Sequence, residues 1–283
     1  MEFSVIIPAK DAPQEVARLL AGLKRQSLRP QEVLVVDSSR EEETKKVALR
    51  FGARVLKIEP EDFNHGLTRT LAARQARGEI LVFFTQDAWP AHRRALENLL
   101  SPLAKGIAAA AYGRQVAPLK QGFLSFLHRL YNYPPRSRLI HPRDIPRLGI
   151  RAAFFSNSFA AYHRSSLEEV GYFPRLPALE DQYVAARLLL AGRSLAYVAR
   201  AVVFHGHSFR LQKDFSRYRS CGAFYRENSW ILAHFGHPQR EGWRYLRFAW
   251  NFLKKRGKLH LLPAFFFQQG ARYLAFWWGM VRG

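Results

Sequence analysis

Three aspartates stand at places where a carboxylate can bind a cation or take a proton. Asp87 follows the apolar residues 80–84, Asp37 ends a second apolar run, and Asp181 opens a helical pattern. Ligands of open α/β sheets bind beyond the carboxyl ends of the strands. Asp87 is therefore placed to hold a divalent cation, which can in turn hold a diphosphate. A helix-capping role remains open both for Asp87, which lies near Pro90, and for Asp181.

Several widespread motifs are absent from the sequence. There is no Gly-x-x-x-x-Gly-Lys-Ser/Thr loop, no Gly-x-Gly-x-x-Gly after the first strand, no Cys-x-x-Cys and no His-Glu-x-x-His, which excludes P-loop, dinucleotide-binding and zinc-hydrolase functions. The single cysteine, Cys221, excludes an internal disulfide framework and suits a reducing compartment. The chain enters its first strand at once, so we expect no secretory signal and a cytoplasmic location.

The first ninety residues alternate strand and helix patterns four times, which is typical of an α/β, doubly wound and mostly parallel sheet. Strands are predicted at 3–8, 32–37, 54–58 and 80–84, and helices at 13–26, 41–51 and 66–77. Further on we expect helices at 92–104 and 181–191, strands at 107–112, 154–162, 195–198 and 201–204, and loop with short helix over 118–150. From about residue 210 the chain is helical, basic and aromatic. Two units are predicted, a catalytic one over 1–208 and a helical one over 209–283.

Positive charge is concentrated in the later part of the chain. The net charge is +22, but residues 1–100 carry 16 basic and 14 acidic side chains, whereas residues 201–283 carry 14 and 3. Such an excess favours a polyanionic substrate or surface, either nucleic acid or anionic lipid.

Residues 240–255 form an amphipathic helical pattern with a basic side and an aromatic side. The basic side holds Arg240, Arg244, Arg247, Lys254 and Lys255, and the apolar side holds Trp243, Leu246, Ala249, Trp250 and Leu253. This composition is typical of a helix lying in a membrane interface, and no stretch reaches the ~18 apolar residues of a spanning helix. We expect a peripheral contact with an anionic membrane. The alternative is packing on the catalytic unit or on a second copy in an oligomer.

Five segments, in order, resemble the inverting glycosyltransferases of family 2. They are Ser-Val-Ile-Ile-Pro-Ala at 4–9, Val-Val-Asp-Ser-Ser at 35–39, Gln-Asp at 86–87, Leu-Glu-Asp at 179–181, and His205 with His207 after the last strand. The resemblance implies a GT-A fold over residues 3–208. Two motifs depart from the family pattern. Ser38 stands where the family has a second Asp, and of the Asp-x-Asp type motif, in whose place Gln86-Asp87 stands, only the last carboxylate is present.

Four further segments look like the bacterial rhamnosyltransferase branch of that family. They are Phe-Asn-His-Gly at 63–66, Thr-Gln-Asp-Ala at 85–88, Tyr-Gly-Arg-Gln at 112–115 and Phe-Ser-Asn at 155–157. After the histidine and glycine that branch usually has Gly-Thr-Arg-Asn, and this chain has Leu-Thr-Arg-Thr at 67–70.

The resemblance implies a role for each matching residue. Asp181 would be the general base. Substrate binding would fall to Pro8, Ala9, Asp37, Asn64, His65, Gly66, Arg69, Gln86, Asp87, Arg114, Asn157 and Glu180, and a divalent metal, Mg²⁺ or Mn²⁺, would be held by Asp87, His205 and His207. Plainer roles stay open, such as a loop hydrogen bond for His65 or a solvated helix position for Arg69.

The function implied is transfer of a sugar, with rhamnose the first candidate, from a dTDP- or UDP-linked donor to a lipid-linked or polysaccharide acceptor. One displacement would invert the anomeric carbon, with Asp181 taking the acceptor proton and positive charge stabilising the leaving diphosphate. A nucleotidyltransferase is an alternative, but Pro-Ala-Lys-Asp at 8–11 lacks its Gly-rich basic signature. A basic nucleic-acid-binding protein is the non-enzyme alternative. The near-neutral first hundred residues argue against it, so we expect no nucleic-acid partner.

Overall fold

A computed structural model describes residues 2–117, 122–176, 178–205 and 210–282. Within these residues nine strands form one sheet. The strands are β1 Phe3–Ala9, β2 Glu32–Asp37, β3 Arg54–Lys57, β4 Ile80–Phe84, β5 Trp89–Pro90, β6 Ala110–Val116, β7 Arg138–Ile140, β8 Phe159–His163 and β9 Leu195–Phe204. The α-helices are α1 Pro13–Leu23, α2 Glu43–Arg50, α3 His65–Gln75, α4 Ala95–Ala104, α5 Phe123–Asn132, α6 Ile145–Leu148, α7 Arg164–Glu169, α8 Glu180–Leu190, α9 Leu211–Glu227, α10 Ser229–Phe235, α11 Gln239–Lys255 and α12 Leu262–Val281.

The sheet is mixed. Its strand order is β3-β2-β1-β4-β8-β6-β9-β5, with β7 paired to β9. The first four strands in this order are parallel, as the alternation of strand and helix predicted. Antiparallel pairing begins at β4 and β8, and β6 with β9 forms a further parallel pair.

The central strands are buried on both faces because helices cover the sheet on each side. All seven residues of β1 and all five of β4 are buried. Alternate residues feed two hydrophobic clusters, Ile6 and Phe83 in one and Val5 and Val82 in the other. Helices α3 and α8 pack against the first cluster, and α1 and α4 against the second. The predicted α/β class is confirmed.

The loosely patterned middle of the chain holds more structure than predicted. Within 118–150, which we expected to be loop and short helix, α5 runs for ten residues and β7 joins the sheet. Pro134 and Pro135 follow α5 and do not interrupt it. The strand predicted over 154–162 begins only at Phe159. The two strands predicted at 195–198 and 201–204 are one strand, in which a register shift against β6 takes up the residues between them.

The C-terminal helices pack on the sheet unit as well as on one another. Phe224 and Tyr225 of α9 and Ile231 of α10 belong to the same hydrophobic cluster as the sheet, so that cluster crosses the predicted division at 208/209, which stays a prediction. On α11, Ala249 and Leu253, predicted to face a membrane, instead pack with Leu127 and Phe265. Across the described parts of the chain no helix is long and apolar enough to cross a membrane.

Candidate active site

The carboxyl ends of β1, β2 and β4 meet at one edge of the sheet. Ala9, the last residue of β1, lies opposite Asp37, the last residue of β2. Since β4 runs parallel to β1, it delivers Gln86 and Asp87 to the same edge. The Gln86 side chain accepts a hydrogen bond from the Lys10 amide at 2.7 Å and donates one to the Lys10 carbonyl at 3.3 Å. Two of the three predicted carboxylates therefore share this edge.

Asp87 contacts His205, whose other ring nitrogen is hydrogen-bonded to Gln115. His205 Nε2 lies 3.3 Å from Asp87 Oδ1, and His205 Nδ1 lies 2.9 Å from Gln115 Oε1. Arg129 Nη1 also donates to Gln115 Oε1. Because that amide oxygen is an acceptor, the Nδ1 atom carries a proton, and Nε2 faces Asp87. Capping is excluded for Asp87, since the next element is the short strand β5.

The pair of Asp87 and His205 fits a divalent cation. In a neutral imidazole with Nδ1 protonated, Nε2 can only accept a hydrogen bond. Here it faces the Asp87 carboxylate oxygen, which is also an acceptor. A cation or a proton between the two atoms makes this contact attractive. A carboxylate oxygen and an imidazole whose other nitrogen is hydrogen-bonded are ordinary metal ligands. No group of three or more His, Cys, Asp or Glu side chains suited to a metal occurs in the described residues. His207, the third predicted ligand, lies outside the described residues.

Hydrogen bonds and one peptide link connect this pair to the third carboxylate. Gln115 Nε2 donates to Ser156 Oγ at 2.8 Å, and the amide of the next residue, Asn157, donates to Asp181 Oδ2 at 3.2 Å. The Asn157 side chain is buried, and its Oδ1 accepts from Tyr162 Oη at 2.8 Å. The structure therefore brings Asp87, His205, Asn157 and Asp181 into one polar network.

Asp181 occupies the second position of α8 and does not cap it. The residue before the helix is Leu179, whose φ of +61° lies in the strained left-handed region. The Asp181 carboxylate accepts hydrogen bonds from the amides of Asn157 and Gln182. Burial, followed by the charge of Glu180, raises its pKa from 3.8 to about 7, although these two amides act in the opposite direction. A carboxylate with a pKa near neutrality is suited to general base catalysis.

Arg69 and Glu180 form a buried ion pair beside Asp181. Arg69 Nη1 lies 2.8 Å from Glu180 Oε1, and only 3% of the Arg69 side chain is exposed. The same guanidinium donates to the His65 carbonyl at 2.9 Å. Burial, followed by the charge of Arg69, lowers the pKa of His65 and favours its neutral form. Arg69 is thus engaged inside the protein, and its expected contact with a donor phosphate stays a prediction.

Asn64 and Gly66 shape the entry to α3. Asn64 is the N-cap, and its side-chain oxygen accepts from the amides of Gly66 and Leu67, each at 3.1 Å. A Cβ atom on Gly66 would lie 1.9 Å from the carbonyl oxygen of Pro174, so only glycine allows this approach. The structure accounts for both residues locally, while their substrate contacts stay predictions.

Asp37 is fully buried at the end of β2. Its Oδ1 accepts from the Ser39 amide at 3.0 Å, and its Oδ2 lies 3.2 Å from Lys57 Nζ. One oxygen therefore holds the loop that follows β2, and the other pairs with the last residue of β3. The substrate contact expected of Asp37 stays a prediction. Pro8 and Ala9 lie beside this loop as buried residues of β1.

The network includes residues for which no role was predicted. Gln115 and Ser156 stood inside the motif segments, and Gln115, not its neighbour Arg114, contacts His205. Successive strand residues point to opposite faces, and in the described residues Arg114 Nε is buried without a hydrogen-bond partner. Arg129 was missed because α5 was expected to be loop.

A protein-family model for glycosyl transferase family 2 matches residues 4–171. The matched part carries β1, the Asn64 cap, Asp87 and Asn157. The chain belongs to glycosyl transferase family 2, and it is a glycosyltransferase. This decides among the three functional classes that the sequence left open.

Two relatives carry more specific names. The chain is 36% identical over 258 residues to the O-antigen chain rhamnosyltransferase RfbN of Salmonella typhimurium, covering 90% of this chain and 82% of the relative. It is 36% identical over 256 residues to the O-antigen chain rhamnosyltransferase WbaN of Salmonella anatum, covering 89% and 81%.

Solved structures show the same fold at lower identity. A mannosyltransferase from Pyrobaculum calidifontis, solved with GDP-Man and Mn²⁺, matches with a TM-score of 0.70 at 18% identity and covers 99% of this chain and 87% of that one. TarS residues 1–349 from S. aureus, solved with UDP-GlcNAc, match with a TM-score of 0.57 at 18% identity, covering 97% and 81%. The predicted GT-A fold is confirmed.

Proposed function

We propose that the protein is an inverting rhamnosyltransferase of O-antigen assembly. It transfers rhamnose from a dTDP-linked donor, with a UDP-linked sugar as the second candidate, to a hydroxyl group of a lipid-linked or polysaccharide acceptor. The observation that supports the proposal most is the polar network from Asp87 to Asp181, because the proposed metal ligand and the proposed base are its two ends. The names of the two Salmonella relatives support the choice of sugar and acceptor.

Asp181 takes the proton of the acceptor hydroxyl as that oxygen attacks the anomeric carbon. Its pKa of about 7 leaves a substantial fraction ionised near neutral pH, and burial strengthens the ionised form as a base. One displacement from the face opposite the leaving group inverts the anomeric carbon. The amides of Asn157 and Gln182 fix the carboxylate so that it meets the acceptor in one orientation.

Asp87 and His205 bind the donor at the other end of the network. A divalent cation held there, Mg²⁺ or Mn²⁺, would neutralise the charge that develops on the departing diphosphate. Gln115 orients His205 toward Asp87, and Arg129 fixes Gln115. The enzyme works peripherally at the cytoplasmic face of the membrane, where a lipid-linked acceptor is met.

The proposal is tested by combining the purified chain with a panel of nucleotide sugars and a rhamnose-accepting oligosaccharide lipid. We expect transfer from dTDP-rhamnose and an inverted linkage in the NMR spectrum of the product. Asp181→Asn should abolish transfer and still bind donor, whereas Asp62→Asn, at an exposed acid outside the network, should be fully active. A product with the donor's anomeric configuration, or full activity of Asp181→Asn, would contradict the mechanism.

The cation site has a test that does not depend on turnover. A nucleotide sugar with Mn²⁺ should raise the melting temperature of the wild-type protein by mass action. Asp87→Asn should lose the part of this shift that requires Mn²⁺. An equal Mn²⁺-dependent shift in the variant would remove Asp87 from the site.

A further inference from the structure

Exposed aromatic side chains are concentrated at the end of the chain. Elsewhere in the described residues the large exposed apolar side chains are aliphatic, apart from Phe126. From residue 243 onward they include Trp243, Trp250, Phe266, Phe267, Tyr273, Trp277 and Trp278. Contiguous exposed apolar surface on a folded protein marks a binding face.

Helix α12 carries apolar residues on its exposed side and polar residues on its buried side, the reverse of a surface helix in a water-soluble protein. Its exposed positions 263, 264, 266, 267, 270, 273, 274, 277, 278 and 281 fall on one side of the helix, which we call the outer stripe. Phe267 is 63% exposed, Leu274 65% and Trp278 50%. The polar residues Gln268 and Arg272 face inward, and Arg272 bonds Asp214 of α9 at 2.9 Å. Apolar residues outside and a paired charge inside are the arrangement found where a helix contacts lipid.

Helix α11 adds positive charge beside the outer stripe. Arg240, Arg247, Lys254 and Lys255 are exposed on α11. A groove of about 630 Å³ lies between α11 and α12, and both Trp243 and Phe266 line it. Trp243 of α11 and Phe266 and Tyr273 of α12 thus line one groove, and Arg240 and Arg247 line a second depression with Trp243. This is the composition of a segment that lies in the interface of an anionic membrane.

We propose that the outer stripe of α12 inserts into the interface of an anionic bilayer while the basic side chains of α11 bind lipid headgroups. Charge favours lipid over a second copy of the chain, because residues 201–283 carry 14 basic and only 3 acidic side chains, and two such surfaces would repel each other. The helix lies along the bilayer, since its inner face is packed on α9, where Gly222 and Gly279 allow close contact.

The inference rests on the proposed function in one respect, because it names the surface on which the lipid-linked acceptor is met. Helix α9 stands between the outer stripe and the base. Tyr225 of α9 contacts Phe276 of α12 and donates to Gln182 Oε1 at 2.9 Å, next to Asp181. Packed helices lie roughly 8–10 Å apart, so α12 and α9 together separate a headgroup at the membrane surface from the Asp181 carboxylate by on the order of 20 Å.

The test is flotation of the full-length protein with vesicles of neutral phosphatidylcholine, with or without about one third phosphatidylglycerol. We expect binding to the anionic vesicles, weaker binding at high salt, and little binding to neutral ones. The triple variant Phe267→Ser/Leu274→Ser/Trp278→Ser should lower the partition coefficient by about tenfold or more, since it removes three inserting side chains. The matched control, Leu49→Ser/Ile107→Ser/Leu190→Ser, removes exposed apolar side chains elsewhere and should bind as the wild type does.

Circular dichroism and the donor-induced melting shift should be unchanged in both triple variants. Equal flotation of the outer-stripe variant and wild type would overturn the inference. So would a lipid-free dimer that the outer-stripe variant dissociates in analytical ultracentrifugation, because the stripe would then be an interface between copies. Vesicle binding without sugar transfer would contradict only the proposed function, and transfer to a water-soluble acceptor without vesicle binding would contradict only this inference.

Discussion

Replacing Asp181 by Asn should remove part of the pH dependence of the protein's stability and should also abolish sugar transfer. In the wild type the pKa of Asp181 rises from 3.8 to about 7 on folding. The folded state therefore binds this proton more tightly, and the resulting stability is complete below pH 3.8 and is lost as the pH rises toward 7. With about 1.4 kcal/mol per pKa unit, the wild type should lose up to roughly 3 kcal/mol between about pH 5 and pH 8 through this group. Asn has no proton to lose, so the variant should lack this dependence.

The assay is urea unfolding of both proteins at several pH values, with activity measured in parallel. The stability of Asp181→Asn relative to wild type should increase from about pH 5 to pH 8. Its transfer rate should fall by about 100- to 10,000-fold, the usual contribution of a general base. In the wild type kcat/KM should rise with pH to a plateau with an apparent pKa near 7. Parallel stability curves for the two proteins would refute the argument that burial raises this pKa, even if activity were lost.

Three further predictions follow from contacts near the site and in the C-terminal helices. Glu180→Gln leaves the Arg69 guanidinium buried without its partner, which should destabilise the protein by about 3–5 kcal/mol in urea unfolding. The same change removes a negative charge beside Asp181, so the acid limb of kcat/KM should move to lower pH, and an unmoved limb would contradict the coupling. Gly279→Ala places a Cβ atom 1.9 Å from a backbone oxygen of α9 and should destabilise by about 1–3 kcal/mol. Gly270→Ala, on the same helix with open space, should instead be neutral or stabilise by up to about 1 kcal/mol, and equal effects of the two alanines would contradict the close packing of α9 and α12.

The part of the fold that could be predicted from the sequence is the part with local, repeated signals. Strands β1, β2 and β4 are apolar runs buried on both faces, and the helices between them show a clear period. Helix α5 was missed because its apolar side packs on α11, far away in the chain, and the prolines after it indicated loop. On α11 the period was found, but a helical wheel cannot show that Ala249 and Leu253 have partners at Leu127 and Phe265. Trp243 and Trp250, on the same predicted apolar side, are exposed.

The acidic residues of the candidate site could be predicted from the sequence, but the hydrogen bonds that connect them could not. Asp87 and Asp181 were found because each stands at the end or the start of an element. Gln115 and Ser156 link them, but neutral side chains carry no signal of their own in a single sequence. The burial of Arg69 could not be predicted either, because its ion-pair partner, Glu180, lies 111 positions away in the sequence.

That buried pair explains how a carboxylate next to an arginine retains a pKa near neutrality. An unpaired Arg69 would lower the pKa of Asp181 and weaken it as a base. Glu180 neutralises the guanidinium at 2.8 Å, and its own negative charge then acts on Asp181 together with burial, which is the larger effect. Burial, Glu180 and Arg69 therefore jointly set the pKa of the proposed base, Asp181. A change at Arg69 or Glu180 should alter the pH dependence of transfer even though neither residue has to touch the reacting atoms.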